Sequence, residues 1–133
     1  MALWNDSMLI GVSKIDDQHK KLIAAIDELL QVCAKGEGKS VIAKTLNFVL
    51  DYTKEHFADE EALQAQHAYP DMVAHKKLHE LFIASVASIK TQFEQKGADA
   101  GLIAKINKTL VDWLVKHINT EDKKIGKHIN SKG

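Results

Sequence analysis

Between residues 17 and 119 the apolar positions recur in steps of three and four. The first stretch carries His19, Ile23, Ile26, Leu30 and Cys33, and the second Leu46, Val49, Thr53, His56, Glu60 and Leu63. The third carries His75, His79, Phe82, Val86, Ile89 and Phe93, and the fourth Ile106, Leu110, Trp113 and His117. Such spacing gathers each set on one helical face. Three breaks separate the stretches: Lys35 to Ser40, Ala68 to Asp71, and Gly97 to Gly101. Ser40 suits the N-cap of the second helix, and Pro70 the first turn of the third. Four amphipathic helices joined by short turns predict an all-α, antiparallel up-down-up-down four-helix bundle. Residues 1–133 form one domain in this reading. Residues 1–16, which lack the period, are an extended N-terminal arm, 17–119 the bundle, and 120–133 a polar tail.

Composition narrows the function. Of 133 residues, 45% are hydrophobic and 27% charged, an ordinary globular balance. Lys plus Arg and Asp plus Glu both number 18, so there is no basic excess for nucleic acid or an anionic membrane surface. No apolar run reaches the length of a membrane span, and the first residues show no basic-then-apolar leader pattern. A cytoplasmic location is expected. Cys33 is the only cysteine, which excludes an internal disulfide and a thiolate metal cluster.

The chemistry lies in the histidines. A lone His on an apolar stripe is ordinarily a core residue bonded to a neighbouring carbonyl, because an unpaired buried imidazole is costly. Here, however, several fall in one layer. His75 and His79 stand one turn apart, with about 6 Å of rise between them, so both rings reach one metal. His56 and Glu60 share that spacing. His19 lies near the start of its helix, as His75 and His79 do, while His56 and His117 lie near the ends of theirs. In an up-down bundle all five fall at the same end. So many imidazoles with a carboxylate exceed a single tetrahedral zinc, and nitrogen ligation excludes Ca²⁺ and Mg²⁺. A two-metal site with bridging carboxylates, holding iron, fits best. Ferritin-like di-iron bundles need Glu-x-x-His, which is absent from this sequence.

These residues resemble the hemerythrin family, in its single-domain bacterial form, over nearly the whole chain. The resemblance rests on Trp4, Gly11-Val12, Ile15-Asp16-Asp17-Gln18-His19 and His56-Phe57-Ala58-Asp59-Glu60-Glu61. It continues through Tyr69-Pro70, His75-Lys76-Lys77-Leu78-His79, Trp113-Leu114-Val115-Lys116-His117-Ile118 and Asp122. The resemblance implies two non-haem, oxo- or hydroxo-bridged irons per chain. His75, His79 and His117 would hold one, His19 and His56 the other, with Glu60 and Asp122 bridging. The iron of His19 and His56 then keeps an open position for O₂, or for NO, azide or another small anion. Phe57, Leu114 and Ile118 would line that pocket and Trp113 support it. The implied function is reversible O₂ binding for transport, storage, delivery or sensing, with a protein acceptor of O₂ as a further partner. A di-iron oxidase or peroxidase on the same site is the alternative. The small number of anionic ligands, which stabilises high-valent iron poorly, favours the non-enzymatic reading.

Two positions strain the resemblance. On a straight α-helix Asp122, five residues after His117, points about 140° away from it, and Glu121 is better placed. The family pattern selects Asp122, which requires the helix to end or loosen; Asn119 and Thr120, mediocre helix formers, allow that. Gln64 stands where the family usually has Met, so wetter packing beside Glu60 is expected. Among the remaining residues, Cys33 reads as a small core hydrophobe and Trp4 as the pin of the arm. Asp16 and Asp17 read as helix caps, His67 and His128 as solvated, and Lys123 to Lys132 as a solvated end.

Overall fold

A computed structural model describes residues 4–132; the remainder of the arm (1–3) and Gly133 lie outside the described residues. Three long helices come first: α1 (Ser13–Ala34), α2 (Lys39–Gln66) and α3 (Met72–Lys96). The fourth rod is one continuous helical run of five segments. It comprises α4 (Ala100–Ile106), a π segment (Asn107–Asp112), α5 (Trp113–His117), a second π segment (Ile118–Asp122) and α6 (Lys123–Lys132). Neighbours pack α1 on α2, α2 on α3, α3 on α4 and α4 back on α1, the closed up-down-up-down bundle.

Turn chemistry sets the ends. Gly36 and Gly97 take φ of +67° and +74° and stop α1 and α3. Asp99 caps α4 by accepting the N–H of Leu102 at 2.8 Å. Ser40 is not a cap: α2 begins at Lys39, after Gly38. Pro70 lies in the turn just before α3 rather than inside it. At the end away from the histidines, Leu29, Ile42, Leu46, Ile89, Leu102 and Ile106 form a wholly apolar core. Burying each such side chain stabilises the bundle by about 1.5–3 kcal/mol. Cys33 belongs to this core.

The arm and tail differ from expectation. α1 begins at Ser13, ahead of residue 17, because Asp16 accepts the N–H groups of Ile10 and Gly11 at 2.8 and 3.3 Å. Asp16 thus ties the arm down instead of capping the helix. Residues 123–132 are helical, and Ile125 is fully buried. Met8 and Ile10 of the arm are buried as well. The arm crosses α6 at Gly126, where a side-chain Cβ would stand 1.8 Å from the carbonyl oxygen of Ile10. Only glycine admits that approach. His128 is half-buried, donates from Nε2 to the carbonyl of His67 at 2.8 Å, and lies edge-on to Tyr69.

Candidate metal centre

The helical register brings His19, His56, Glu60, His75, His79, His117 and Asp122 together, every one buried. They fall into two overlapping groups. Glu60, His75, His79, His117 and Asp122 can each offer a ligand atom within 4.8 Å of the others, and so can His19, His56, Glu60 and Asp122. Glu60 and Asp122 are common to both. Glu60 Oε1 lies 2.9 Å from His75 Nε2 and 3.0 Å from His79 Nε2, while its Oε2 lies 3.3 Å from His56 Nε2 and 3.6 Å from His19 Nε2. Asp122 makes the same division, with Oδ1 3.0 and 3.1 Å from His75 and His117, and Oδ2 3.0 Å from His19.

The second π segment delivers Asp122. Its i→i+5 bonding adds one residue to the turn, so position i+5 occupies roughly the place that i+4 holds in an α-helix. Asp122 therefore returns to the face of His117. Glu121 turns outward, its side chain 33% exposed and 3.5 Å from Lys124 Nζ.

Buried polar atoms here lack ordinary partners. His19 Nε2, His56 Nε2, His79 Nε2, Glu60 Oε2 and both Asp122 oxygens make no geometrically sound hydrogen bond among the described residues. Leaving such atoms unsatisfied costs about 1–3 kcal/mol each, and more when charged. Inward-aimed imidazole nitrogens interleaved with carboxylate oxygens are a metal-ligand set, and the residues present fit non-haem iron. Electrostatics agrees on the sign of the site. Burial acts to lower the pKa of His19 and His75, but Asp122 and Glu60 outweigh it and hold both at about 9. Burial likewise acts to raise Glu60 and Asp122, yet the surrounding imidazoles pull both carboxyls well below their usual range.

Flanking residues hold the rings. Gln18 Oε1 accepts the Nδ1–H of His56 at 2.8 Å, and Gln18 Nε2 donates to Asp59 at 2.8 Å. Glu61 Oε2 accepts the Nδ1–H of His79 at 3.0 Å. Both bonds leave Nε2 free to point inward. Sequence reasoning missed these partners; their one signal is adjacency to a ligand in the chain, as for Gln18 beside His19 and Glu61 beside Glu60. Phe57 stacks on His79 with centroids 3.7 Å apart and lies 5.5 Å from the His56 ring. Trp113 stacks on His117 at 4.5 Å, so it braces the three-histidine group. Leu114 and Ile118 are buried, and Leu114 borders a narrow apolar cavity of about 10 Å³ with Ile23, Ile26, Val111 and Val115.

Fold and cluster together define a four-helix-bundle protein with a buried, histidine-rich metal site. The sequence matches the hemerythrin HHE cation binding domain over residues 10–129. It is 38% identical over 120 residues to a bacteriohemerythrin of Pseudomonas paraeruginosa, covering 90% of this chain and 76% of that relative. A bacteriohemerythrin of Stenotrophomonas maltophilia is 34% identical over 92% of this chain and 77% of its own length. Myohemerythrin-1 of Phascolopsis gouldii is 32% identical over 90% of this chain and 87% of its own. The chain belongs to the hemerythrin family of non-haem iron, oxygen-binding proteins. Among the described residues no helix is long and apolar enough to cross a membrane.

Proposed function

We propose that the chain holds two irons and binds O₂ reversibly, for transport, storage, delivery or sensing, without turning it over as an enzyme. The observation that carries this reading is the sharing of Glu60 and Asp122 between two otherwise separate imidazole groups. His75, His79 and His117 would hold one iron, and His19 and His56 the other, with Glu60 and Asp122 available to both. When bound, the iron pair supplies the electrons that O₂ takes up reversibly. The group with fewer imidazoles leaves room for the diatomic ligand, and for NO, azide or another small anion.

The remaining residues orient and protect. Gln18 and Glu61 fix the tautomers of His56 and His79, so their Nε2 lone pairs face inward. Phe57 lies against the His56 and His79 rings, and with the buried Leu114 and Ile118 it would give the site apolar surroundings that disfavour water. Two carboxylates among five imidazoles suit a carrier better than an oxidase, since few anionic ligands stabilise high-valent iron poorly. A lone cysteine fits a reducing cytoplasm, and a separate protein acceptor of O₂ completes the reading. The test is the visible spectrum of the purified protein through cycles of reduction, oxygenation and deoxygenation. Reversible bands are expected; steady catalytic consumption of O₂ or peroxide would mean an oxidase or peroxidase instead.

A further inference from the structure

On α2, His56, Glu60 and Gln64 recur every four residues and share the inner face. Gln64 is fully buried, and neither atom of its carboxamide has a hydrogen-bond partner among the described residues. On α3, His75 Nδ1 is buried and unpartnered in the same way. The hairpin register sets both groups toward one corner: Glu60, one turn before Gln64, reaches with Oε1 to within 2.9 Å of His75 Nε2. Glu60 Oε1 lies 3.0 Å from His79 Nε2. One turn toward the connection on both antiparallel helices leads from Glu60 to Gln64 and from His79 to His75. Tyr69 closes this corner: its N–H donates to the Gln64 carbonyl at 2.9 Å, and its ring sits edge-on to His75, 6.3 Å away.

A buried carboxamide with both ends open is rare, and an ordered water with two to four polar partners is the usual remedy. His56 and His79 give their Nδ1–H groups to Gln18 and Glu61. We propose that Gln64 positions His75 through one buried water, which accepts the Nδ1–H of His75 and donates to Gln64 Oε1. Gln64 thereby serves His75 as Gln18 serves His56. The bridge fixes the ring with Nε2 toward Glu60 and Asp122, 2.9 and 3.0 Å away. Its effect on iron rests on the function proposed above; the water bridge itself does not.

Gln64→Met keeps the bulk and removes the acceptor. We expect this variant to lose iron to a chelator about 10–100-fold faster than the parent. Its metal-free form should melt close to the metal-free parent, because the bond lost at Gln64 Oε1 is offset by no longer burying an amide Nε2 without a partner. Equal iron loss in variant and parent would overturn the inference, and so would faster loss joined to a lower metal-free melting temperature, which marks a packing defect. NMR of the metal-free parent supplies the second readout: a slowly exchanging His75 Nδ1–H with a cross-peak to bound water, lost in Gln64→Met. A rapidly exchanging proton in the parent contradicts the bridge. If the parent holds no iron, the proposed function fails, and this signal alone decides the inference.

Discussion

Every imidazole of the cluster has its Nε2 within 3.3 Å of Glu60 or Asp122, and that pairing governs how the site responds to protons. Without metal, the carboxylates hold His19 and His75 at about 9 against an ordinary 6.5. Protons bind these rings more tightly in the folded state, so their stabilisation is complete below pH 6.5 and disappears as pH rises through 9. Glu60 and Asp122 work oppositely: their folded pKa values lie below 4.5 and 3.8, so their contribution is lost in acid. The metal-free protein should therefore lose melting temperature between pH 6.5 and 9. Iron displaces the same protons, so its binding tightens over that range and the loaded protein escapes the loss. Thermal melts of both forms across the range check this; a flat profile for the metal-free protein contradicts it. The five clustered histidines were legible in the sequence because imidazole broke an otherwise apolar stripe. Gln18 and Glu61 were not, since a polar residue beside the stripe looks like any solvated one. The stripe also pointed to Leu63, whereas Gln64 is the buried neighbour. The choice between adjacent faces depends on a tilt that letters do not encode.

Helix by helix, the three long rods follow their periodicity apart from Leu30 and Leu63, whose core places fall to Leu29 and Gln64, and the fourth departs from it. One row of its buried positions runs Leu102, Ile106, Leu110, Leu114, Ile118 and Asp122 in uniform steps of four, with His117 buried beside it. On a regular α-helix each such step drifts by about 40°. The two π segments take up that drift and keep the row facing the core. Trp113, read as inward from a three-four alternation, is consequently only half-buried, and Leu114 takes the core place. A straight helix favours Glu121, and nothing in the residue types marks a π turn beyond the weak helix formers Asn119 and Thr120. The family pattern supplied what spacing could not. Asp122→Ala should lose at least one iron per chain, whereas Glu121→Ala should keep the parent's content, both by metal analysis. The reverse result would show that the rod runs straight through the site.

At the scale of the molecule, the chain ends close the metal end of the bundle. The arm turn Asp6–Met8 packs on Ile118–Asp122, the segment carrying Asp122, and Ile10 lies over Gly126 of α6. Bundle topology followed from four periodic stretches and their breaks. The closure did not, because Lys123 to Lys132 looks uniformly polar apart from Ile125 and Ile129, and its inward face exists only once the arm lies over Gly126 and the corner of His67 and Tyr69 lies against His128. Gly126→Ala would place a methyl against the backbone of Ile10, so a loss of about 1–3 kcal/mol is expected. Faster iron loss should accompany it as the arm lifts from the Asp122 segment. Thermal melts and chelator kinetics measure both; a variant indistinguishable from the parent would mean that the arm does not seal the site. The central claim is that five imidazoles and two shared carboxylates hold a pair of irons. Metal analysis of protein purified after expression with ample iron tests it most directly. Two irons per chain is the predicted result; a single zinc, or no metal at all, would contradict it.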